Sequence, residues 1–178
     1  NSRRVSVMDC ACRTHMKIHN NGEPINQYPM NVCVSFNTWA DYAIENGFGR
    51  ELSKDEAISL LSEAAKEGLV HTTQNITDKS TFMCNCDRDC CIMLRGLRQF
   101  NDPGLVARSN FIPEYEADKC ILCKKCINLC PMLVIAELED QQKIEIDHDR
   151  CIGCGVCSYN CRAKALTIVR PSILFFPR

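Results

Sequence analysis

Two runs of closely spaced cysteines constrain this chain more than any other feature of its sequence. Each run has the spacing Cys-x₂-Cys-x₂-Cys-x₃-Cys, and the second begins 31 residues after the first. The runs consist of Cys120, Cys123, Cys126 and Cys130, and of Cys151, Cys154, Cys157 and Cys161. Three thiolates three residues apart can wrap one face of a [4Fe–4S] cube. The fourth cysteine lies too far round the following turn and ligates the other cube.

This spacing predicts two clusters with crossed ligand sets. The first set is Cys120, Cys123, Cys126 and Cys161, and the second is Cys151, Cys154, Cys157 and Cys130. Zinc is an alternative, but zinc sites usually pair two Cys-x₂-Cys halves across a longer gap. Disulfide bonds are another, although bridges within such tight loops would be strained. The start of the chain shows no export signal, which favours a reducing compartment.

The doubled run resembles that of the two-cluster bacterial ferredoxins, and the resemblance covers about residues 114 to 170. It implies [4Fe–4S] clusters and electron transfer. Residues 131–138 and 143–146 are predicted to pair around the turn at 139–142, giving a small sheet. Residues 105–117 are predicted to form a surface linker. The apolar tail at 173–177 either caps this fold or docks on a partner.

The two cysteine loops differ in charge. Lys124 and Lys125 flank the first loop, whereas the matching loop of the second run contains Gly153 and Gly155. Positive charge near a cluster stabilises its reduced form. We therefore expect the first cluster to have the higher potential.

Seven further cysteines lie upstream of the doubled run and are also clustered. They are Cys10, Cys12, Cys33, Cys84, Cys86, Cys90 and Cys91. Two Cys-x-Cys pairs and one vicinal pair are hard to reconcile with cysteines scattered singly as small buried apolar residues. The pattern predicts metal binding by this set. Between the pairs, Ser53 and Glu56 form a capping box that predicts a helix over residues 53–67.

The order of short motifs in this part resembles an N-terminal domain of larger 4Fe–4S ferredoxin-type proteins of anaerobes. The motifs occupy Cys10–His15, Pro29–Cys33, Gly49–Ala57, Gly68–His71 and Cys84–Cys86. Related sequences tend to carry a denser cysteine patch, whereas residues 87–89 of this chain are Asp-Arg-Asp. The resemblance implies electron transfer, with the number of clusters left open.

Seven cysteines are enough for one [4Fe–4S] cluster with three to spare. Two clusters would need an eighth ligand, for which His15 is the candidate; the alternative is that His15 only donates a hydrogen bond. Arg13 is expected to donate to a cluster sulfur or to anchor a carboxylate. Vicinal Cys90 and Cys91 point apart in most backbone conformations, so only one of them is expected to ligate a given cube.

Together these patterns predict an α+β chain of two domains. Residues 1–110 form a Cys-rich iron–sulfur domain of mixed helix and strand, and residues 111–178 form a ferredoxin domain with a C-terminal tail. The net charge of −1 gives no field that favours nucleic acid, and no apolar run reaches the length of a membrane span.

The predicted function is that of a cytoplasmic electron-transfer subunit in a larger anaerobic redox complex. It would relay single electrons between redox protein subunits in a hetero-oligomer, and we expect a non-catalytic role. One alternative is a redox enzyme subunit with a catalytic or open-iron N-terminal cluster. Another is a redox-sensing regulator, which would need a DNA-binding face.

Overall fold

The computed structural model describes residues 2–76, 79–101, 106–107 and 109–170. The chain divides into two compact units, Asn1–Arg95 and Gly96–Arg178. The predicted α+β class with small antiparallel sheets is confirmed. Among the described residues no helix is long and apolar enough to cross a membrane. The apolar tail at 173–177, expected either to cap the ferredoxin domain or to dock on a partner, lies outside the described residues.

The first unit, called unit 1 below, is built on an antiparallel sheet. Its strands are β1 (Val5–Asp9), β2 (Asn31–Phe36), β3 (Gly49–Glu51), β4 (Val70–Thr73) and β5 (Phe82–Cys86). Its helices are α1 (Ala11–His19), α2 (Thr38–Glu45), α3 (Lys54–Lys66) and α4 (Ile92–Phe100), the last of which runs across the division between the units. The strand order is β3-β1-β2-β5-β4, which places β5 beside β2 although 45 residues separate the two strands in sequence.

The α3 helix begins where the capping box predicts. The Glu56 backbone N–H donates to Ser53 Oγ at 3.2 Å, and the Ser53 N–H donates to Glu56 Oε2 at 2.8 Å. Each side chain thus satisfies a backbone donor that the first helical turn leaves without a partner. Gly68 follows the helix with a φ of +88°, a left-handed conformation typical of a helix stop. The helix prediction over residues 53–67 is confirmed.

The second unit, called unit 2, repeats one motif twice. Its elements are β6 (Ile112–Tyr115), α5 (Lys125–Leu129), β7 (Ile135–Leu138), β8 (Lys143–Ile146), α6 (Val156–Tyr159) and β9 (Leu166–Val169). The order β6-α5-β7 recurs as β8-α6-β9 with the same 31-residue offset as the cysteine runs. β6 pairs antiparallel with β9, and β7 pairs antiparallel with β8. Each two-stranded sheet therefore takes one strand from each half, which interlocks the halves.

One sheet prediction is confirmed and one linker prediction is wrong. β7 and β8 pair around residues 139–142, although β7 starts only at Ile135. Residues 112–115, predicted as linker, instead form β6, and Pro113 in that strand is fully buried. Proline is tolerated because a two-stranded sheet leaves one side of each strand free of ladder hydrogen bonds.

Candidate functional site

The first pocket of unit 2 is bordered by cysteines from both halves of the repeat. These are Cys120, Cys123, Cys126 and Cys161. Tyr115, Ile144 and Leu166 complete much of its wall. Lys124 also borders the pocket, and its Nζ lies 2.5 Å from Glu137 Oε2. The pocket therefore combines four sulfur donors with a largely apolar wall and two lysines, of which Lys124 is paired with Glu137.

The second pocket of unit 2 repeats this arrangement with the roles of the halves exchanged. Its cysteines are Cys130, Cys151, Cys154 and Cys157. The remaining wall is apolar and includes Pro113, Val134, Ile135 and Ile146. Cys130, the last cysteine of the first run, thus borders the pocket of the second run, as Cys161 borders that of the first.

The two cysteine loops follow the same backbone path with different residues. Leu122 and Lys124 have φ values of +51° and +59°, and their counterparts Gly153 and Gly155 have +64° and +78°. A left-handed backbone costs a residue with a side chain roughly 1–2 kcal/mol. At Gly153 a side chain is also sterically excluded, since an added Cβ would lie 2.0 Å from the Phe111 carbonyl oxygen. The repeated curvature wraps both loops around their pockets.

Burial makes the second pocket unfavourable for bare thiolates. Desolvation raises the pKa of Cys154 and that of Cys157 to about 12. Backbone N–H groups oppose these shifts, that of Val156 at Cys154 and that of Ser158 at Cys157. The Gly153 N–H likewise donates to Cys151 Sγ at 3.5 Å. A cationic centre would supply the missing stabilisation, because a metal deprotonates the thiols that coordinate it. Four thiols lining one apolar cavity fit a thiolate-ligated cluster.

Unit 1 gathers its cysteines at one end of the sheet. Cys84 and Cys86 lie two residues apart on β5, so their side chains share one face. β2 pairs with β5 so that Val34 is opposite Met83, and the same register continued by one residue brings Cys33 beside Cys84. Cys10 is buried at the end of β1, where it packs with Val32, Ala64 and Leu69.

Six of the seven cysteines in unit 1 form one continuous series of thiol contacts, called the six-thiol cluster below. In order of contact they are Cys10, Cys33, Cys84, Cys86, Cys91 and Cys12. They come from the end of β1, the first turn of α1, the strands β2 and β5, and the residue before α4. All 15 cysteines of the chain lie in its described part and are free of disulfide bonds.

Hydrogen bonds within the six-thiol cluster favour negative charge on two of its sulfurs. The thiols of Cys33 and Cys86 lower the pKa of Cys84 to about 4. Those of Cys12 and Cys86 lower the pKa of Cys91 to about 3, and two backbone N–H groups in the first turn of α4 act in the same direction. Thiolates are the form of cysteine that binds metals. The cluster is therefore a candidate site for a cationic centre.

Cys90 stands apart from the six-thiol cluster although it adjoins Cys91. Its side chain is buried, and Asn26 Nδ2 donates to its sulfur at 3.7 Å. Burial, together with the nearby Asp87 carboxylate, raises the pKa of Cys90 to about 11. The two vicinal thiols therefore occupy different surroundings: Cys91 contacts other cysteines, and Cys90 contacts a polar network.

That network centres on a buried ion pair between Arg13 and Asp87. Arg13 Nε donates to Asp87 Oδ2 at 2.8 Å, and both side chains are no more than 3% exposed. The remaining guanidinium nitrogens donate to the carbonyls of Pro29 and Asn85. Asp87 Oδ1 accepts from the backbone N–H groups of Asp89 and Cys90. One ion pair thus joins α1, the chain before β2, the end of β5 and the turn before α4.

Known proteins resemble the part of the chain that carries the doubled run. A model of the 4Fe-4S dicluster domain matches residues 112–162, a range that includes both cysteine runs. The pyruvate synthase subunit PorD of Methanothermobacter marburgensis is 42% identical over 60 residues, which cover 34% of this chain and 68% of that protein. The chain belongs to the ferredoxin-type 4Fe–4S dicluster family. [4Fe–4S] clusters are accordingly its cofactors.

Other members of the dicluster family match over a similar length. The PorD subunit of Methanocaldococcus jannaschii is 37% identical over 60 residues, covering 34% of this chain and 69% of that protein. The uncharacterized ferredoxin-like protein YdhY of Escherichia coli is 43% identical over 56 residues, covering 30% of this chain. The matched part amounts to 27% of YdhY.

The structure of this dicluster protein brings most of the predicted site residues together and separates a few. Each predicted set of four in unit 2 borders one pocket, and Cys90 alone among the seven in unit 1 lies outside the six-thiol cluster. His15 is exposed and packs against the ring of His19 at 4.4 Å. Among the described residues, no three His, Cys, Asp or Glu side chains converge closely enough to hold a single metal ion.

Sequence reasoning missed three polar residues of these sites. Asp87 looked like an interruption of the cysteine patch but is the partner of Arg13. Asn85 is fully buried between Cys84 and Cys86, and its side-chain oxygen hydrogen-bonds His71 Nδ1 at 2.5 Å. Tyr115 borders the first pocket. No spacing rule identifies these residues, because the contacts that place them join distant segments: Arg13 to Asp87, Asn85 to the Val32 carbonyl, and the Ile144 amide to Tyr115.

Proposed function

We propose that this chain is an electron-transfer subunit that relays single electrons through two ferredoxin-type [4Fe–4S] clusters and at least one cluster in unit 1. The observation that carries the proposal is the pair of apolar pockets, each bordered by four cysteines, that the internal repeat of unit 2 produces. When bound, such clusters supply one-electron chemistry at potentials from roughly −700 to +450 mV.

The ligands of the two ferredoxin-type clusters follow the crossed pattern. Cys120, Cys123, Cys126 and Cys161 hold the first cluster, and Cys151, Cys154, Cys157 and Cys130 hold the second. Crossing keeps the two clusters close, since Cys126 and Cys130 are four residues apart at the two ends of α5. At 1.5 Å of rise per residue this is about 6 Å along the helix. The apolar walls exclude water, and backbone N–H groups hold negative charge on sulfur.

Residues 1–110 form a further iron–sulfur domain in this proposal. The six-thiol cluster offers more than the four thiolates that one [4Fe–4S] cluster requires. The resemblance of this part to domains of ferredoxin-type proteins from anaerobes supports the same assignment. Of the seven cysteines predicted to bind metal, we assign the six of the cluster and leave out Cys90, because its buried sulfur contacts Asn26 and Asp87 rather than other thiols.

The partners are other redox subunits of a larger anaerobic, cytoplasmic complex. Two relatives carry the name of a pyruvate synthase subunit, which supports a place in a multisubunit oxidoreductase. The chain itself then transfers electrons from the donor subunit to the acceptor subunit.

Metal analysis of the full chain, purified without oxygen, tests the proposal. We expect about 12 irons and as many sulfides per chain if unit 1 holds one cluster, and about 8 if it holds none. Reduction followed by electron paramagnetic resonance should show interacting clusters. A chain that carries zinc, or one that cannot be reduced, would overturn the electron-transfer role. Native mass in the source organism identifies the complex.

The vicinal cysteines provide a matched test of the cluster in unit 1. Replacing Cys91 by alanine should lower the iron content by up to about four per chain, because it removes a central member of the six-thiol cluster. Cys90→Ala should leave the iron content unchanged, since this thiol contacts Asn26 and Asp87. Iron and sulfide are measured on both variants, with circular dichroism as the control for folding. Equal iron loss in the two folded variants would contradict the assignment.

A further inference from the structure

One difference between the two pockets of unit 2 is a tyrosine in the first where the second has an isoleucine at the equivalent position. With the 31-residue offset, Tyr115 at the end of β6 corresponds to Ile146 at the end of β8. Tyr115 borders the first pocket and Ile146 borders the second. The neighbouring positions follow the same symmetry, with Ile144 in the first pocket and Pro113 in the second. The first pocket thus gains a polar group where the second has an aliphatic side chain.

The contacts of Tyr115 aim its hydroxyl at a cysteine. The backbone N–H of Ile144 donates to Tyr115 Oη at 3.4 Å, so the hydroxyl oxygen is held from the β8 side. The hydroxyl and Cys120 border the same pocket, and burial together with that thiol raises the pKa of Tyr115, which keeps the phenol neutral. A phenol carries one O–H donor and accepts through its oxygen. Because the Ile144 amide occupies the oxygen, the O–H remains to donate toward the cysteines of the pocket.

We infer that Tyr115 sets the potential of the first ferredoxin-type cluster by donating a hydrogen bond to the Cys120 sulfur. This inference rests on the proposed ligand sets. Hydrogen bonds to charged acceptors are stronger than those to neutral ones, so the donation strengthens as negative charge on the sulfur increases. It therefore favours the reduced form and raises the potential. No proton is transferred, and the tyrosine remains a neutral donor throughout.

Lys124 contributes less to the expected difference in potential between the two clusters than its charge suggests. Lys124 Nζ is paired with the Glu137 carboxylate at 2.5 Å, and its side chain is 55% exposed. A paired, solvated cation has a weak field at a distance. The higher potential expected for the first cluster from Lys124 and Lys125 thus gains an independent cause in Tyr115, which borders the same pocket as the ligand Cys120.

The test is the potential of each cluster in the full, iron-loaded chain carrying Tyr115→Phe. We expect the ratio of reduced to oxidised first cluster at a fixed applied potential to fall about tenfold, a shift of about 59 mV for a one-electron couple. The second cluster should keep its potential, and iron content should not change. The matched control is Tyr159→Phe, which removes a hydroxyl from an exposed position of the same unit.

Two unchanged potentials in a fully loaded Tyr115→Phe chain would overturn the inference, as would equal shifts of both clusters. Electron–nuclear double resonance in D₂O provides a second measurement, which detects the hydrogen bond itself and does not depend on the stability of the variant. The wild-type chain should show an exchangeable deuteron coupled to the reduced first cluster that Tyr115→Phe lacks, and its absence from the wild type would also overturn the inference. If the wild-type chain held no reducible cluster, the proposed function itself would fail, which is a distinguishable result.

Discussion

Combining Cys120→Ala with Cys161→Ala should damage one ferredoxin-type cluster and spare the other. These two residues are 41 positions apart but border the same pocket. Once the first substitution has removed one of the four ligands, the second removes another ligand of the same cube. We expect the double variant to lose up to about four irons and to keep the electron paramagnetic resonance signal of the second cluster.

The matched control combines Cys151→Ala with Cys161→Ala, two residues from the same cysteine run. Because the ligand sets are crossed, this pair should damage both clusters and lose up to about eight irons. Both double variants remove two thiols from unit 2, so any general effect of lost cysteines is the same in each. The reverse ranking of iron content would show that each run holds its own cluster and would refute the crossed assignment.

Replacing Arg13 by methionine should have the largest effect on the stability of unit 1. The substitution leaves the Asp87 carboxylate buried at 2% side-chain exposure without its cation. Breaking a buried ion pair in this way costs about 3–5 kcal/mol. It also releases the carbonyls of Pro29 and Asn85, which lie next to segments that carry the six-thiol cluster. Unfolding in urea, monitored anaerobically by circular dichroism, measures the loss.

Arg13→Met should also lower the iron content of unit 1 and leave the two clusters of unit 2 in place. The double variant with Asp87→Leu should recover part of the stability, because an apolar pair can replace a buried ion pair at little cost. Arg3→Met is the control, since Arg3 pairs with Asp41 at a side-chain exposure of 72% and should change stability little. Equal effects of Arg3→Met and Arg13→Met would show that burial of the ion pair is unimportant.

Local rules predicted the elements whose causes are local. The capping box of α3 involves residues three positions apart, so its start could be predicted from a short stretch of sequence. The linker prediction over 105–117 failed because β6 acquires its structure from β9, more than 50 residues later. Pro113 and the mixed polarity of its neighbours describe a poor isolated strand, and only pairing and burial stabilise it there.

For the seven cysteines of unit 1, spacing in the sequence predicts a metal site but does not identify which cysteines contact one another. Their clustering in the sequence predicted a metal site, yet Cys90 and Cys91 could not be told apart by position. The difference arises from the turn that Asp87 holds through the backbone N–H groups of Asp89 and Cys90. Arg13 is 74 residues from Asp87, and no pattern in the sequence pairs them.

The sequence by itself contains the doubled cysteine run, and the spacing of that run determined the predicted cofactor class and the predicted crossed ligand sets. It could do so because three ligands of each cluster lie within seven residues, and because the repeat constrains the fourth. Only the tertiary structure decided which residues surround those sulfurs. The contact of the Tyr115 hydroxyl with the Ile144 amide, the Lys124–Glu137 pair and the Arg13–Asp87 pair all join separate segments of the chain. Such contacts follow from strand register and burial, which are properties of the folded chain as a whole.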